Sequence, residues 1–226
     1  MLEPEALQAA LFAAAGEVQA LINHLGSAAR SAGVAKLVFG PDLLSSFRRA
    51  LQFGRTEVVS MDLPLASSGL LAQPSDVVVA ARSRVPQLAV ELRWHPRGED
   101  HAGFATAVIG DVAKMALART SNAVEQAAVL VSAPARFWRW LPTYSQDHRG
   151  FDLLSPEADQ PASTKADFLA GPAWDSLFAS GLPNEVPERL WTSPIASADV
   201  RSPWIETELR LLDVKGIGRQ VAVREQ

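Results

Sequence analysis

The chain contains no cysteine, which excludes disulfides, thiolate zinc sites and cysteine nucleophiles. Nothing in it therefore points to an oxidising compartment. Lysine is scarce: Lys36, Lys114, Lys165 and Lys215 are the four lysines among 21 basic residues, the rest being arginine. Long apolar runs are missing as well, since none approaches the ~18 residues of a membrane span. The opening Met1-Leu2-Glu3-Pro4-Glu5 is acidic where a secretory leader needs positive charge. These absences lead to the expectation of a cytoplasmic protein without a membrane partner. There is no phosphate-binding P-loop and no Ser nucleophile elbow. The sole Gly-x-Gly, Gly216-Ile217-Gly218, lacks the third glycine and following helix of a dinucleotide fingerprint.

What is present is the balance of one sizeable globular domain: 226 residues, 48% hydrophobic and 20% charged. The formal charge is −4, but acidity concentrates after residue 140, so an anion-binding surface is expected in the first part of the chain.

Leu7, Leu11, Val18, Leu21 and Leu25 repeat at three-four spacing in an Ala-rich background, which predicts an amphipathic helix over residues 4–25 stopped by Gly26. Gly40-Pro41-Asp42 reads as the start of a second helix ending near Gly54, after a short strand around Leu37–Phe39. From Thr56 the period changes. Glu57–Leu65, Asp76–Ala81 and Gln87–Trp94 are β-branched or apolar runs separated by Ser67-Ser68-Gly69 and by Arg82–Pro86, the punctuation of a three-stranded meander. Residues 102–120 return to helical spacing and Ala127–Ser132 follows as a strand. Residues 1–140 thus read as an αβββαβ core of an α/β protein. Residues 141–205, holding eight of the 15 prolines and three of the six tryptophans, read as an irregular covering segment with a short helix near Lys165–Phe178. Residues 206–226 read as a terminal β-hairpin turning at Lys215–Gly218.

Within this order, Pro74-Ser75-Asp76 and Glu91-Leu92-Arg93 carry a resemblance. The chain resembles the PD-(D/E)xK, or restriction-endonuclease-like, nuclease superfamily. The resemblance implies that Asp76 on one strand and Glu91 on the next hold a divalent cation, Mg²⁺, against a scissile phosphate. Strand neighbours bring distant residues to adjacent ladder positions, and period two sends residues 91 and 93 to one face. Two carboxylates suit Mg²⁺, which prefers hard oxygen ligands and keeps waters, one of which can attack phosphorus.

The sequence departs from the family at one place. Arg93 stands where the motif has lysine, and a guanidinium cannot exchange a proton near neutral pH. Lys114, in Asp111-Val112-Ala113-Lys114, offers a replacement from the following helix, as in family members whose lysine comes from a neighbouring element. Its Asp-x-x-Lys spacing instead predicts an intrahelical pair with Asp111. The expectation is a nuclease-like protein with weak or lost phosphodiesterase activity that binds nucleic acid or a protein partner, with Asp76, Glu91, Arg93 and Lys114 as site residues. The alternative is an active metal-dependent DNA or RNA nuclease. Arg82, Arg84, Arg93 and Arg97 around the site favour phosphate contact, whereas an accessory protein of unrelated α/β fold is a third reading.

Other features rank lower. His95 and His101 flank Glu99-Asp100 in a polar turn and offer metal ligands, but their six-residue separation matches no helical metal motif, so exposed loop histidines are the expectation. Phe137-Trp138-Arg139-Trp140 reads first as an anchor of a following loop to the core and second as a base-stacking cluster. Val214–Gly218 resembles the hairpin of a helix-hairpin-helix motif, but the alternation in Leu209-Arg210-Leu211 favours a β turn.

Overall fold

The computed structural model describes residues 2–53, 57–66, 70–80, 85–96, 98–148, 150–154, 163–164 and 189–217. Helix α1 (Pro4–Leu25) buries Leu7, Leu11, Val18 and Ile22 and ends at Gly26, whose φ of 56° is the left-handed conformation glycine adopts without strain. Helix α2 (Ala32–Leu37) is capped by the Ser31 hydroxyl, which accepts from the Val34 N–H. A π-helical turn (Val38–Asp42) joins it to α3 (Leu43–Gln52), and Pro41, which has no N–H to donate, lies inside that turn. The strand expected around Leu37–Phe39 is therefore helical. Its apolar side chains are needed inside: Val38 and Phe39 are buried on the helical layer.

Strands β1 (Val59–Pro64), β2 (Pro74–Val79) and β3 (Leu88–Trp94) form an antiparallel meander. Helix α4 (His101–Thr120) then crosses over to β4 (Gln126–Pro134), which pairs parallel to β3. Asp100 caps α4 by accepting from the Gly103 N–H at 2.7 Å. The remaining elements are α5 (Ala135–Asp147), β5 (Ser163–Thr164), β6 (Arg189–Arg201) and β7 (Glu206–Ile217). The sheet order is β1-β2-β3-β4-β7-β6-β5. The class is mixed α/β, with a mostly antiparallel sheet.

Two expectations for the second half are corrected. The segment 141–205 is not irregular throughout: α5 runs to Asp147, and β6 is a 13-residue strand. Among the described residues the hairpin of the C-terminal part is β6–β7, turning at residues 202–205, and Lys215 to Ile217, expected in a turn, are strand; Gly218 lies outside the described residues. Strand β7 passes straight through Lys215 and Gly216, which pair with Trp191 and Leu190 of β6 beyond the point, Val214, where its ladder with β4 ends. The helix expected near Lys165–Phe178 and residues 219–224 lie outside the described residues.

Two cores flank the sheet. On one face α4, α5 and the turn Phe151–Leu154 cover Val78, Ala89, Val129, Val131 and Leu212. On the other, α1 to α3 cover Val77, Val79, Leu88, Val90 and Leu130. Strand alternation sorts these residues. The same alternation places Asp76 with Val78, and Glu91 and Arg93 with Ala89, on the α4 face.

Among the described residues no helix is long and apolar enough to cross a membrane.

Candidate functional site

The β2–β3 register, Val77 opposite Val90 and Val78 opposite Ala89, brings Asp76 to the end of the ladder beside Glu91. There the backbone pairing gives way to a side chain. Asp76 Oδ2 accepts the Leu92 N–H at 2.6 Å, so the carboxylate takes the place of a strand carbonyl and is fixed against β3. Burial raises the Asp76 pKa first of all, against the lowering by the Leu92 bond; the charges of Asp111 and Asp62 raise it further.

Glu91 is 7% exposed, and Lys114, on α4, is 5% exposed. Charges at that depth need partners. They find each other: Lys114 Nζ donates to Glu91 Oε1 at 2.6 Å and to the Pro74 carbonyl at 2.9 Å. The ammonium thereby ties α4 to both β2 and β3. Burial pushes the Glu91 carboxyl up to about 7 despite the Lys114 bond, and Asp76 and Asp111 add to the rise.

Arg93 does something different. Its Nε and Nη2 donate to Asp111 Oδ2 and Oδ1 at 2.7 and 2.6 Å, a bidentate clamp from β3 to α4. The intrahelical pair expected between Asp111 and Lys114 is thus not the arrangement. Three-residue spacing on a helix permits a contact, but the longer side chain of Lys114 reaches the buried acid on β3, and the fork of Arg93 matches Asp111 better. Burial raises the Asp111 pKa, with Arg93 pulling the other way.

All four expected site residues therefore meet on one face: Asp76 on β2, Glu91 and Arg93 on β3, Lys114 on α4. The second oxygens, Asp76 Oδ1 and Glu91 Oε2, make no hydrogen bond among the described residues and are not among the buried orphans, which are Arg48 Nε, Ser75 Oγ, Ser132 Oγ and Arg210 Nη1. They are the atoms left for a ligand. Among the described residues no group of three or more His, Asp or Glu is arranged to hold a metal ion. A cation here would have at most two such side-chain ligands, a donor set that fits Mg²⁺ retaining most of its waters.

Asp62, which the sequence pattern did not single out, stands near enough for its charge to raise the Asp76 carboxyl pKa. The β1–β2 ladder pairs Met61 with Val77 and Leu63 with Ser75, so Asp62 falls opposite Asp76, and its φ is 54°. A non-glycine residue held left-handed inside a strand costs about 1 kcal/mol or more, and aspartate is among the few that tolerate it. The signal for it was an acid alternating with Val59 and Met61 in a strand-like run. Arg82, Arg84 and Arg97 lie outside the described residues.

The histidines are not exposed turn residues. His95, 5% exposed, continues the Glu91–Arg93 row past the end of β3. Its Nε2 lies 2.9 Å from His101 Nδ1, and its Nδ1 lies 2.9 Å from the Pro96 carbonyl. Since a carbonyl only accepts, His95 Nδ1 carries the proton and, in the neutral pair, His101 donates to His95 Nε2. Phe104 packs on His95 at 4.4 Å, and Phe137 approaches both rings. Burial lowers both histidine pKa values. Phe137 and Trp138 are buried, as an anchoring role requires, but they sit in α5 and not at a loop start.

Compared with known proteins, the chain matches no family model, no curated protein and no solved structure.

Proposed function

We propose that the chain is a divergent PD-(D/E)xK-type phosphodiesterase acting on nucleic acid, in which Lys114 takes the part of the motif lysine and Arg93 is structural. The observation that carries this reading is the 2.6 Å contact between Lys114 Nζ and Glu91 Oε1. It joins a lysine from the helix to the acid of the Glu-x-Arg strand, with Asp76 on the neighbouring strand. The order α1 to α3, β1-β2-β3, α4, β4 supports the same core. Asp76 Oδ1 and Glu91 Oε2 would hold Mg²⁺. That ion would supply Lewis acidity and a bound water of lowered pKa. Lys114 would place its ammonium where charge builds on the phosphate oxygens, and its bond to the Pro74 carbonyl limits the positions it can take. Arg93, clamped by Asp111, keeps α4 at the distance Lys114 needs.

A second reading, a scaffold that binds nucleic acid or protein without cleaving, has one observation in its favour. Both cations at the site are already paired with acids, Lys114 with Glu91 and Arg93 with Asp111. The deciding experiment is a cleavage assay on single- and double-stranded DNA and RNA with Mg²⁺ or Mn²⁺. Metal-dependent cleavage by wild type, lost in Asp76→Asn, Glu91→Gln and Lys114→Met but retained in a surface control such as Arg49→Gln, is expected. Folded protein with no cleavage on any substrate leaves the scaffold.

A further inference from the structure

A cavity of about 410 Å³ opens beyond the ends of β3 and β4. Its floor is the sheet face that carries α1 to α3, where Trp94 and Pro134 lie. Phe39 from the π turn forms one wall, and Trp204 and Ile205 from the β6–β7 turn form another. The volume is that of a small-ligand site, and the lining is mainly apolar and aromatic, as such sites require.

The polar groups are few and specific. His95 contributes a wall and not a donor, because both of its ring nitrogens are taken, by Pro96 and by His101. Glu206 lies 3.9 Å from Arg201 Nε, so its charge is partly answered. Arg136, at the start of α5, is exposed and makes no hydrogen bond or ion pair among the described residues. One step down the same face, Ser132 stands beside Trp94 in the β3–β4 register, its hydroxyl fully buried without a partner. An aromatic slot with one free guanidinium at the rim selects a flat ring that carries an anionic group.

We propose that this cavity is a nucleotide-binding site, with the base held against Trp94 and Trp204 and the phosphate paired with Arg136. Base–indole stacking and a charge-assisted Arg–phosphate contact are the two interactions this geometry offers, and a nucleotide uses both. The inference rests on the cavity alone and is independent of the acidic cluster on the other face of the sheet.

The test is therefore made without divalent metal. AMP and UMP, each beside its nucleoside, are titrated into the full chain by calorimetry and tryptophan fluorescence, with Trp204→Leu and Arg136→Gln as variants. Saturable binding of at least one nucleotide is expected, about tenfold or more tighter than its nucleoside. Arg136→Gln should bring the nucleotide down to the nucleoside's affinity and leave the nucleoside unchanged. Trp204→Leu should weaken both by about tenfold. No saturable binding of either nucleotide overturns the proposal. So does equal affinity for nucleotide and nucleoside, or a Trp204→Leu protein that folds and binds as wild type does. Cleavage assays do not bear on any of these outcomes.

Discussion

Lys114 hydrogen-bonds to Glu91 across the interface between α4 and β3, although Asp111 precedes it by three residues on its own helix. Asp111 is held instead by the two nitrogens of Arg93. Two ion pairs thus cross between the same helix and the same strand, Lys114–Glu91 buried and Arg93–Asp111 half-exposed on the arginine side, and each leaves the other's partner alone.

The first prediction concerns the cost of splitting the inner pair. Lys114 and Glu91 side chains are 6% and 9% exposed, so removing one strands the other's charge away from water. At about pH 8.5, where Glu91 is ionised beside Lys114, Lys114→Met should destabilise the protein by about 3–5 kcal/mol. The double variant Lys114→Met/Glu91→Gln should lose clearly less than the sum of the single changes, because no charge is left uncompensated. Urea unfolding of the four proteins measures this, and simple additivity would refute the pairing.

Glu91 also predicts a pH dependence. Its carboxyl titrates near 7 in the folded chain against an ordinary value of 4.5. The folded state therefore binds the proton more tightly. The stability this confers is fully present below pH 4.5 and is lost as pH rises through 7, a change of about 3 kcal/mol across the window. Asp76 and Asp111, raised by burial, act in the same sense. The histidines, lowered, act in the opposite one. Subtracting the stability–pH curve of Glu91→Gln from that of wild type isolates the Glu91 contribution. Parallel curves between pH 4.5 and 7 would contradict the burial assigned to it.

Restoring the motif lysine at position 93 should not help. Arg93→Lys exchanges a bidentate clamp for a single donor and leaves one oxygen of Asp111, a residue 8% exposed, short of a partner. A loss of about 1–3 kcal/mol is expected, with no gain in cleavage. Faster cleavage by this variant than by wild type would return the lysine's role to residue 93.

Gly216 marks where α4 and β7 touch. A Cβ there would lie 3.0 Å from Thr120 Cγ2, 3.2 Å from Ala116 Cβ and 3.3 Å from the Ala116 carbonyl oxygen. The helix backbone cannot yield as a side-chain tip would, so Gly216→Val should cost about 1–3 kcal/mol through overpacking. An unchanged melting temperature would show that the helix stands further from the sheet.

Helix α1 begins and ends where the three-four spacing and Gly26 place it, and the period-two runs mark β1 to β4 to within a few residues. Those features are local: periodicity, capping and turn chemistry act over a few residues, so the amino-acid sequence by itself determines them. Asp76, Glu91, Arg93 and Lys114 are legible there through the resemblance to the nuclease motif, and Glu91 also as an acid interrupting the apolar run Leu88–Leu92. Tertiary structure alone decided who pairs with whom. Lys114 could meet Asp111 or Glu91, and only the placement of α4 over β3, with both side chains out of water, selects Glu91. The π turn at Pro41, the burial of His95 and the course of β7 through Gly216 were settled in the same way. In each, a local preference for turn, strand or exposure gave way to burial of apolar surface and pairing of backbone groups with elements far away in sequence.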